Sequence, residues 1–221
     1  MSLRIAALLG TGAMAAAGEA LAQTSPQWAE APSVADFAAA YPAKARAAGV
    51  GGAVNLTCTI NHEGRPRDCY AIGETPTGYG FGFAARQLAE KMRSVDASAN
   101  GVEVRIPMTF DPKVASGGAI VTKPAWAALP SPSDFQASFP QSANGVNQVR
   151  VVLDCTVAAG GALSGCTVDR EEPAGLGYGQ GALAVATKFR VSPWSQDGQP
   201  TVGAKLRVPI RYELTPAAAK P

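Results

Sequence analysis

Two tandem α+β units, each a three-stranded antiparallel sheet (ββαβ, preceded by a short helix) with helix on one face, are what this 221-residue sequence predicts. Three observations carry that expectation. The spacing Cys-x₁₀-Cys occurs twice, as Cys58 with Cys69 and Cys155 with Cys166, displaced by 97 residues, and those four are all the cysteines. Landmarks on both sides of the cysteines recur at nearly the same displacement. Around them, runs alternate apolar and polar residues with period two and are broken by glycine turns.

The repeat is read first, because a fixed internal period marks a repeated unit of folding. Trp28 and Trp126, Pro32 and Pro130, Asp36-Phe37 and Asp134-Phe135, and Tyr41-Pro42 and Phe139-Pro140 match at 98 residues. The cysteines, Pro76 with Pro173, Gly80 with Gly177, Gly82 with Gly179, and Arg93 with Arg190 match at 97. Val104-Arg105-Ile106-Pro107 answers Leu206-Arg207-Val208-Pro209 after five extra residues in the second copy. The predicted units are 28–112 and 126–214, with 113–125 as linker and 215–221 as a disordered tail. Each is large enough to fold alone, marginally.

Within a unit, Ser33-x-x-Asp36 and Ser131-x-x-Asp134 predict capping boxes that open a short helix, with Asp in place of the usual Glu. Its aromatics, Phe37 with Tyr41 and Phe135 with Phe139, are spaced i, i+4 on one side, and a proline ends it. A hairpin follows. Cys58 and Cys69 are equidistant from Glu63-Gly64, and Cys155 and Cys166 from Gly160-Gly161, so a two-residue turn at each site sets every Cys opposite its partner. Directly opposed residues on antiparallel strands have Cα atoms about 4.5–5.5 Å apart, inside the disulfide window. Val54, Leu56, Cys58 and Ile60 share one face, as do Val149, Val151, Leu153, Cys155 and Val157, which places the cystines toward the core. Each short loop so closed stabilises by roughly 2–3 kcal/mol in the chain-entropy account.

After Pro76 and Pro173 a glycine-rich step leads into an amphipathic helix with Ala85, Leu88 and Met92 on one stripe, matched by Ala182, Val185 and Phe189. The last strand of each unit alternates cleanly and carries a proline in its middle, Pro107 or Pro209. Proline lacks the donor a central strand needs, so both are edge strands.

Residues 1–22 predict a cleaved secretory signal: Arg4, an apolar stretch from Ile5 to Gly18, and the cleavage site Ala20-Leu21-Ala22. Export agrees with cysteines that occur only in pairs. The expected location is the periplasm, the alternative being an inner-membrane anchor through an uncleaved N-terminus. A net charge of +2 is too mild for a nucleic-acid partner.

Little chemistry is expected. His62 has Ala159 as its counterpart and reads as a solvated turn residue. With one His and no C-x-x-C, neither a zinc site nor a thiol redox site is expected, and no metal or cofactor is assigned. Gly80-x-Gly82-x-x-Ala85 and its repeat match a relaxed dinucleotide fingerprint, but the strand before them belongs to a hairpin instead of a parallel βαβ unit. What repeats is glycine, proline, cysteine and apolar residues, which serve folding; a noncatalytic protein is expected. The final strands carry Arg105, Lys205, Arg207 and Arg211 on their outward face. These are either a basic edge for an acidic partner or guards against edge-to-edge aggregation.

The run YPAKARAAGVGGAVNLTCTINHEGRPRDC, the step P-x-G-x-G-F-G from Pro76 to Gly82, and the closing VRIPMTF resemble the C-terminal domain of TonB-type energy transducers. The family's Tyr-Pro, pre-strand Gly, D-G-like turn, helix and closing strand correspond to Tyr41-Pro42, Gly52, Glu63-Gly64, residues 83–93 and residues 102–110. The second copy keeps the pattern with Phe139 for the tyrosine. The resemblance implies a part in TonB-dependent outer-membrane transport, through a periplasmic module that binds an extended peptide of a receptor or other envelope protein at a sheet edge. The matching edge residues are Val104, Arg105, Ile106, Pro107, Met108, Thr109 and Phe110, and by repetition Leu206, Arg207, Val208, Pro209, Ile210, Arg211 and Tyr212. The alternative is a structural envelope protein binding peptidoglycan or an assembly partner. Mass spectrometry of a non-reduced digest should join Cys58 to Cys69 and Cys155 to Cys166 with no free thiol; a reactive thiol would revive the redox reading.

Overall fold

Apart from α2, the element order of the first half recurs among the described residues of the second. In the computed structural model, which describes residues 26–140 and 148–213, the first half contains β1 (Trp28–Glu30), α1 (Val34–Ala40), α2 (Ala43–Ala48), β2 (Gly52–Ile60), β3 (Pro66–Thr75), α3 (Phe81–Ala89), β4 (Arg93–Ser94) and β5 (Glu103–Phe110). α4 (Pro112–Ala115) and β6 (Ile120–Val121) follow. The second half contains β7 (Trp126–Ala128), α5 (Pro132–Ala137), β8 (Gln148–Val157), β9 (Leu163–Glu172), α6 (Tyr178–Ala186), β10 (Arg190–Val191) and β11 (Lys205–Glu213). The expected signal and the expected tail lie outside the described residues.

The mixed α+β class is as expected, and the first sheet has three antiparallel strands in the order β3-β2-β5. The second sheet departs from expectation. Its order is β6-β11-β8-β9, four strands and not three, because the supposed linker contributes β6. Ile120 and Val121 run parallel to Lys205 and Leu206, and the Lys205 N–H donates to the Ala119 carbonyl at 2.9 Å. Residues 113–125 are therefore structured at both α4 and β6. The repeated tryptophans and arginines form two further ladders, β1 with β4 and β7 with β10.

Both capping boxes form. Ser33 Oγ accepts from the Asp36 N–H while the Asp36 carboxylate accepts from the Ser33 N–H, and Ser131 with Asp134 repeats the arrangement. Burial raises the Asp36 pKa, but hydrogen bonds from Lys91 and Ser33 outweigh it and hold the carboxyl below its ordinary value. The Ser131 hydroxyl and N–H lower Asp134 likewise. Depressed carboxyls contribute stability above their ordinary pKa, and lose it as pH falls through the depressed value.

The disulfides pair as expected, with Cα separations of 4.2 Å and 4.1 Å, but the turns differ. Asn61 and Arg65 close a three-residue loop, not a two-residue turn, with the Asn61 N–H donating to the Arg65 carbonyl. Thr59 then faces Arg67, whereas Thr57 faces Tyr70, so β3 carries one extra residue beside Cys58. Asp68 takes up that bulge with φ 53°, and Gly165 does the same in the second hairpin with φ 57°. One loop residue more and one bulge residue more restore the register that sets Cys58 against Cys69.

The apolar faces of both sheets are buried under their helices. Leu56 and Ile60 of β2 and Ile106 and Phe110 of β5 meet Phe81, Leu88 and Met92; Val151, Leu153, Ile210 and Tyr212 meet Tyr178, Ala182 and Val185. The buried side chains form one continuous cluster across the halves. The junction is an arm, residues 192–203, where the second half has its five extra residues. Trp194 packs on Phe37 with ring centroids 5.8 Å apart, and the Val34 N–H donates to the Val202 carbonyl at 2.9 Å. At the arm's tip, the Thr109 N–H donates to the Gly198 carbonyl at 2.8 Å and the Thr109 hydroxyl to the Asp197 carbonyl at 2.9 Å.

Gly198 has φ 73°, and a Cβ there would stand 2.4 Å from the Pro107 carbonyl oxygen. Gly198→Ala should thus cost at least ~2 kcal/mol in chemical denaturation. Gly160→Ala, at φ 72° with no atom within 4 Å of the added carbon, should cost only ~1 kcal/mol. Equal costs would show that the arm does not brace the two halves.

Candidate functional site

A strand at the margin of a sheet directs every second residue's N–H and C=O away from its neighbour. On β5 the side chains of Val104, Ile106, Met108 and Phe110 are buried, while Glu103, Arg105 and Pro107 are exposed. The Thr109 N–H reaches outward to the arm, so by alternation the main-chain groups of Glu103 and Arg105 and the Pro107 carbonyl also face outward. Pro107 falls in the outward set, where its missing donor costs the β2 pairing nothing. Four of the seven expected edge residues on β5 are thus core side chains, and the accessible row is the odd-numbered one. The arm already occupies its far end at Thr109.

β11 has the same design. Leu206, Val208, Ile210 and Tyr212 are buried, and the Lys205 N–H reaches outward to Ala119. The outward row is Lys205, Arg207, Pro209, Arg211 and Glu213. β6 covers its start at Lys205 and Leu206. The same parallel ladder, through Leu206 and Val121, takes the outward Arg207 N–H; beyond it, among the described residues, the Arg207 and Pro209 carbonyls and the main-chain groups of Arg211 face no partner strand. Each half therefore has one edge partly filled by its own chain, at opposite ends.

The basic row is not uniform. Arg207 stands across from Asp154 on β8, and its guanidinium is held by Asp154 at 3.0 Å and Asp169 at 3.8 Å. Arg105 stands across from Thr57, which offers no charge. Among the described residues Arg105, Lys205 and Arg211 make no ion pair. An exposed pair such as Arg207–Asp154 contributes at most about 1 kcal/mol, yet it removes Arg207 as a free cation.

The first edge borders a groove of about 360 Å³ lined by Gln27, Trp28, Arg105, Pro107, Trp194 and Gln196, together with Pro26, Ala125, Ser192 and Ser195. No acidic residue is among these. Trp194 is only 6% exposed, and its indole N–H has no hydrogen-bond partner among the described residues.

The glycine-rich steps have a carboxylate at the helix start. Glu74 accepts hydrogen bonds from the N–H groups of Gly80, Phe81 and Gly82 at 3.0–3.1 Å, and Glu171 accepts from the Tyr178 N–H at 3.0 Å. The donors that would hold a phosphate at α3 are already filled, which gives the glycines a structural role. Sequence reasoning missed these two glutamates, although both precede the repeated prolines and are themselves 97 residues apart. His62 is exposed in the first hairpin loop, and no acidic, His or Cys cluster able to hold a metal occurs among the described residues.

Residues 38–112 match the family described as Gram-negative bacterial TonB protein C-terminal. That span takes in α2, the first hairpin, α3 and β5, including the first edge. An uncharacterized protein of Caulobacter vibrioides is 36% identical over 63 residues, which cover 28% of this chain and 63% of that protein. The chain thus spans under two thirds of that relative's length. No helix among the described residues is long and apolar enough to cross a membrane. The paired cysteines and the family match point to the cell envelope.

Glu74→Ala should free three N–H groups at the start of α3. A loss of about 1–2 kcal/mol is expected in urea unfolding, with faster amide exchange at Gly80 to Gly82. Unchanged exchange there would dismiss the carboxylate as the cap.

Proposed function

We propose that this protein is a noncatalytic envelope binding module that captures an extended peptide by adding it as a strand to a sheet edge, β11 foremost. The observation that carries the reading is the open outward stretch from the Arg207 carbonyl through Pro209 and Arg211, next to a part of the chain where β6 already shows strand addition at the same edge. The TonB C-terminal match over residues 38–112 supports the class of activity, and the recurrence of the same elements extends it to the second half. The partner is a segment of an outer-membrane receptor or another envelope protein, and the setting is TonB-dependent transport in the periplasm.

Magnitudes bound the mode of binding. Each main-chain hydrogen bond contributes about 0.5–1.5 kcal/mol net, and association costs roughly 4–15 kcal/mol. Main-chain pairing along this short row therefore gives weak capture, and the side chains of Arg211 and Glu213 on the exposed face must add affinity. A proline in the row interrupts the donors, which favours a transient complex over aggregation.

The test uses synthetic peptides copying the periplasm-facing N-terminal segments of outer-membrane receptors. Their addition should slow amide hydrogen exchange at Arg211. Arg211→Pro removes one outward donor and leaves the pairing with β8 intact, so capture should weaken about fivefold to tenfold while the far-UV circular dichroism stays the same. Exchange unaffected by any of the peptides would overturn the proposal; binding of peptidoglycan in their place would favour a structural envelope role.

A further inference from the structure

We propose that the groove beside β5 binds the free C-terminus of an extended chain, with Arg105 as the residue that recognises its carboxylate. This rests on the strand-addition reading above but concerns the other edge and a different chemistry.

The first argument is geometric. A strand laid along the outward row of β5 can pair at Glu103 and Arg105, but at Thr109 the N–H is taken by Gly198 and the hydroxyl by Asp197. Gly198 also lies against the Pro107 carbonyl, so close that a Cβ would clash with it. A guest strand must end there. An edge open at one end and stopped at the other admits a chain terminus and rejects a through-running segment. A volume of about 360 Å³ is at the small end of the range for ligand sites and suits two or three residues.

The second argument is chemical and decides which terminus. The lining offers Arg105, Gln27, Gln196, Ser192 and Ser195 as donors and contains no carboxylate. Arg105 has no ion-pair partner among the described residues, whereas its counterpart Arg207 is neutralised by Asp154 and Asp169. An ammonium group would meet an arginine and no acid; a carboxylate would meet a guanidinium matched to its geometry. The Trp194 ring, 6% exposed and packed on Phe37, gives the groove a fixed apolar wall beside that guanidinium. With its carboxylate at the stopped end, the guest runs parallel to β5.

The site belongs to the pair of halves and not to either alone, because β5 supplies Arg105 while the arm of the second half supplies Trp194 and the stop. A single copy of the unit would leave this edge open at both ends.

The probe is the pentapeptide acetyl-Ser-Val-Thr-Val-Ser, made once with a free carboxylate and once amidated, titrated into the full chain by calorimetry and followed by tryptophan emission. The free acid should bind at least about tenfold more tightly than the amide. Arg105→Gln, an exposed position, should abolish that difference, while Arg211→Pro on the other sheet should leave it unchanged. Equal affinities of acid and amide, an acid preference that survives in Arg105→Gln, or no binding of either would overturn the proposal. Amide protection at Arg211 by the receptor peptides would stand regardless of that result, so failure at this groove is distinct from failure of strand capture at β11.

Discussion

A main-chain N–H on the margin of a sheet is hazardous to expose and costly to bury without a partner. The two departures of this chain from simple duplication both answer that constraint. The extra residues of the second half form the arm that satisfies Thr109, and the segment between the halves forms β6, which satisfies Lys205. The prolines serve the same end by subtraction, since Pro107 and Pro209 lie in the outward rows where a donor would otherwise be unsatisfied. What remains unpaired on β5 and β11 is a short stretch of each, while β3 and β9 border the two sheets on their other sides.

The two halves share a backbone plan while their exposed faces differ. On the second sheet Arg207, Asp154 and Asp169 form a charged row across three strands. The corresponding positions of the first sheet are Arg105, Thr57 and Ile72, and none but Arg105 is charged. Two acidic residues are exchanged, Thr57 standing where the second half has Asp154 and Ile72 where it has Asp169, and Arg105 is left uncompensated. The edges at β5 and β11 match in backbone, and a few side-chain differences make them chemically unlike.

Much of this was legible because the signals were local. Ser33 and Asp36 lie within one helical turn, and Cys58 and Cys69 within one hairpin, so spacing alone predicts their pairing. A proline in an alternating run similarly marks an edge. The compensated bulge at Asp68 was hidden for a physical reason: one added residue in the loop and one in the strand leave the cysteine register unchanged. α2 was missed because AKARAA is too short and too uniform to show an apolar stripe. The arm was visible only as a length difference, since its partners Thr109 and Val34 lie in the other half and no short-range pattern encodes such a contact. Glu74 and Glu171 could have been found, as they repeat in step with the prolines that follow them.

The local disulfides have a consequence for a chain that contains nearly the same hairpin twice. β2 resembles β8 closely enough in pattern that β2 could zip onto β9, or β8 onto β3, giving a cross-threaded molecule with well-matched apolar faces. Duplicated sequences are prone to this kind of mispairing. A covalent bond between residues 58 and 69 commits each strand to its sequence neighbour, and the bond between 155 and 166 does so again. The cystines therefore act as identity tags, telling each half of the polypeptide which strand is its own.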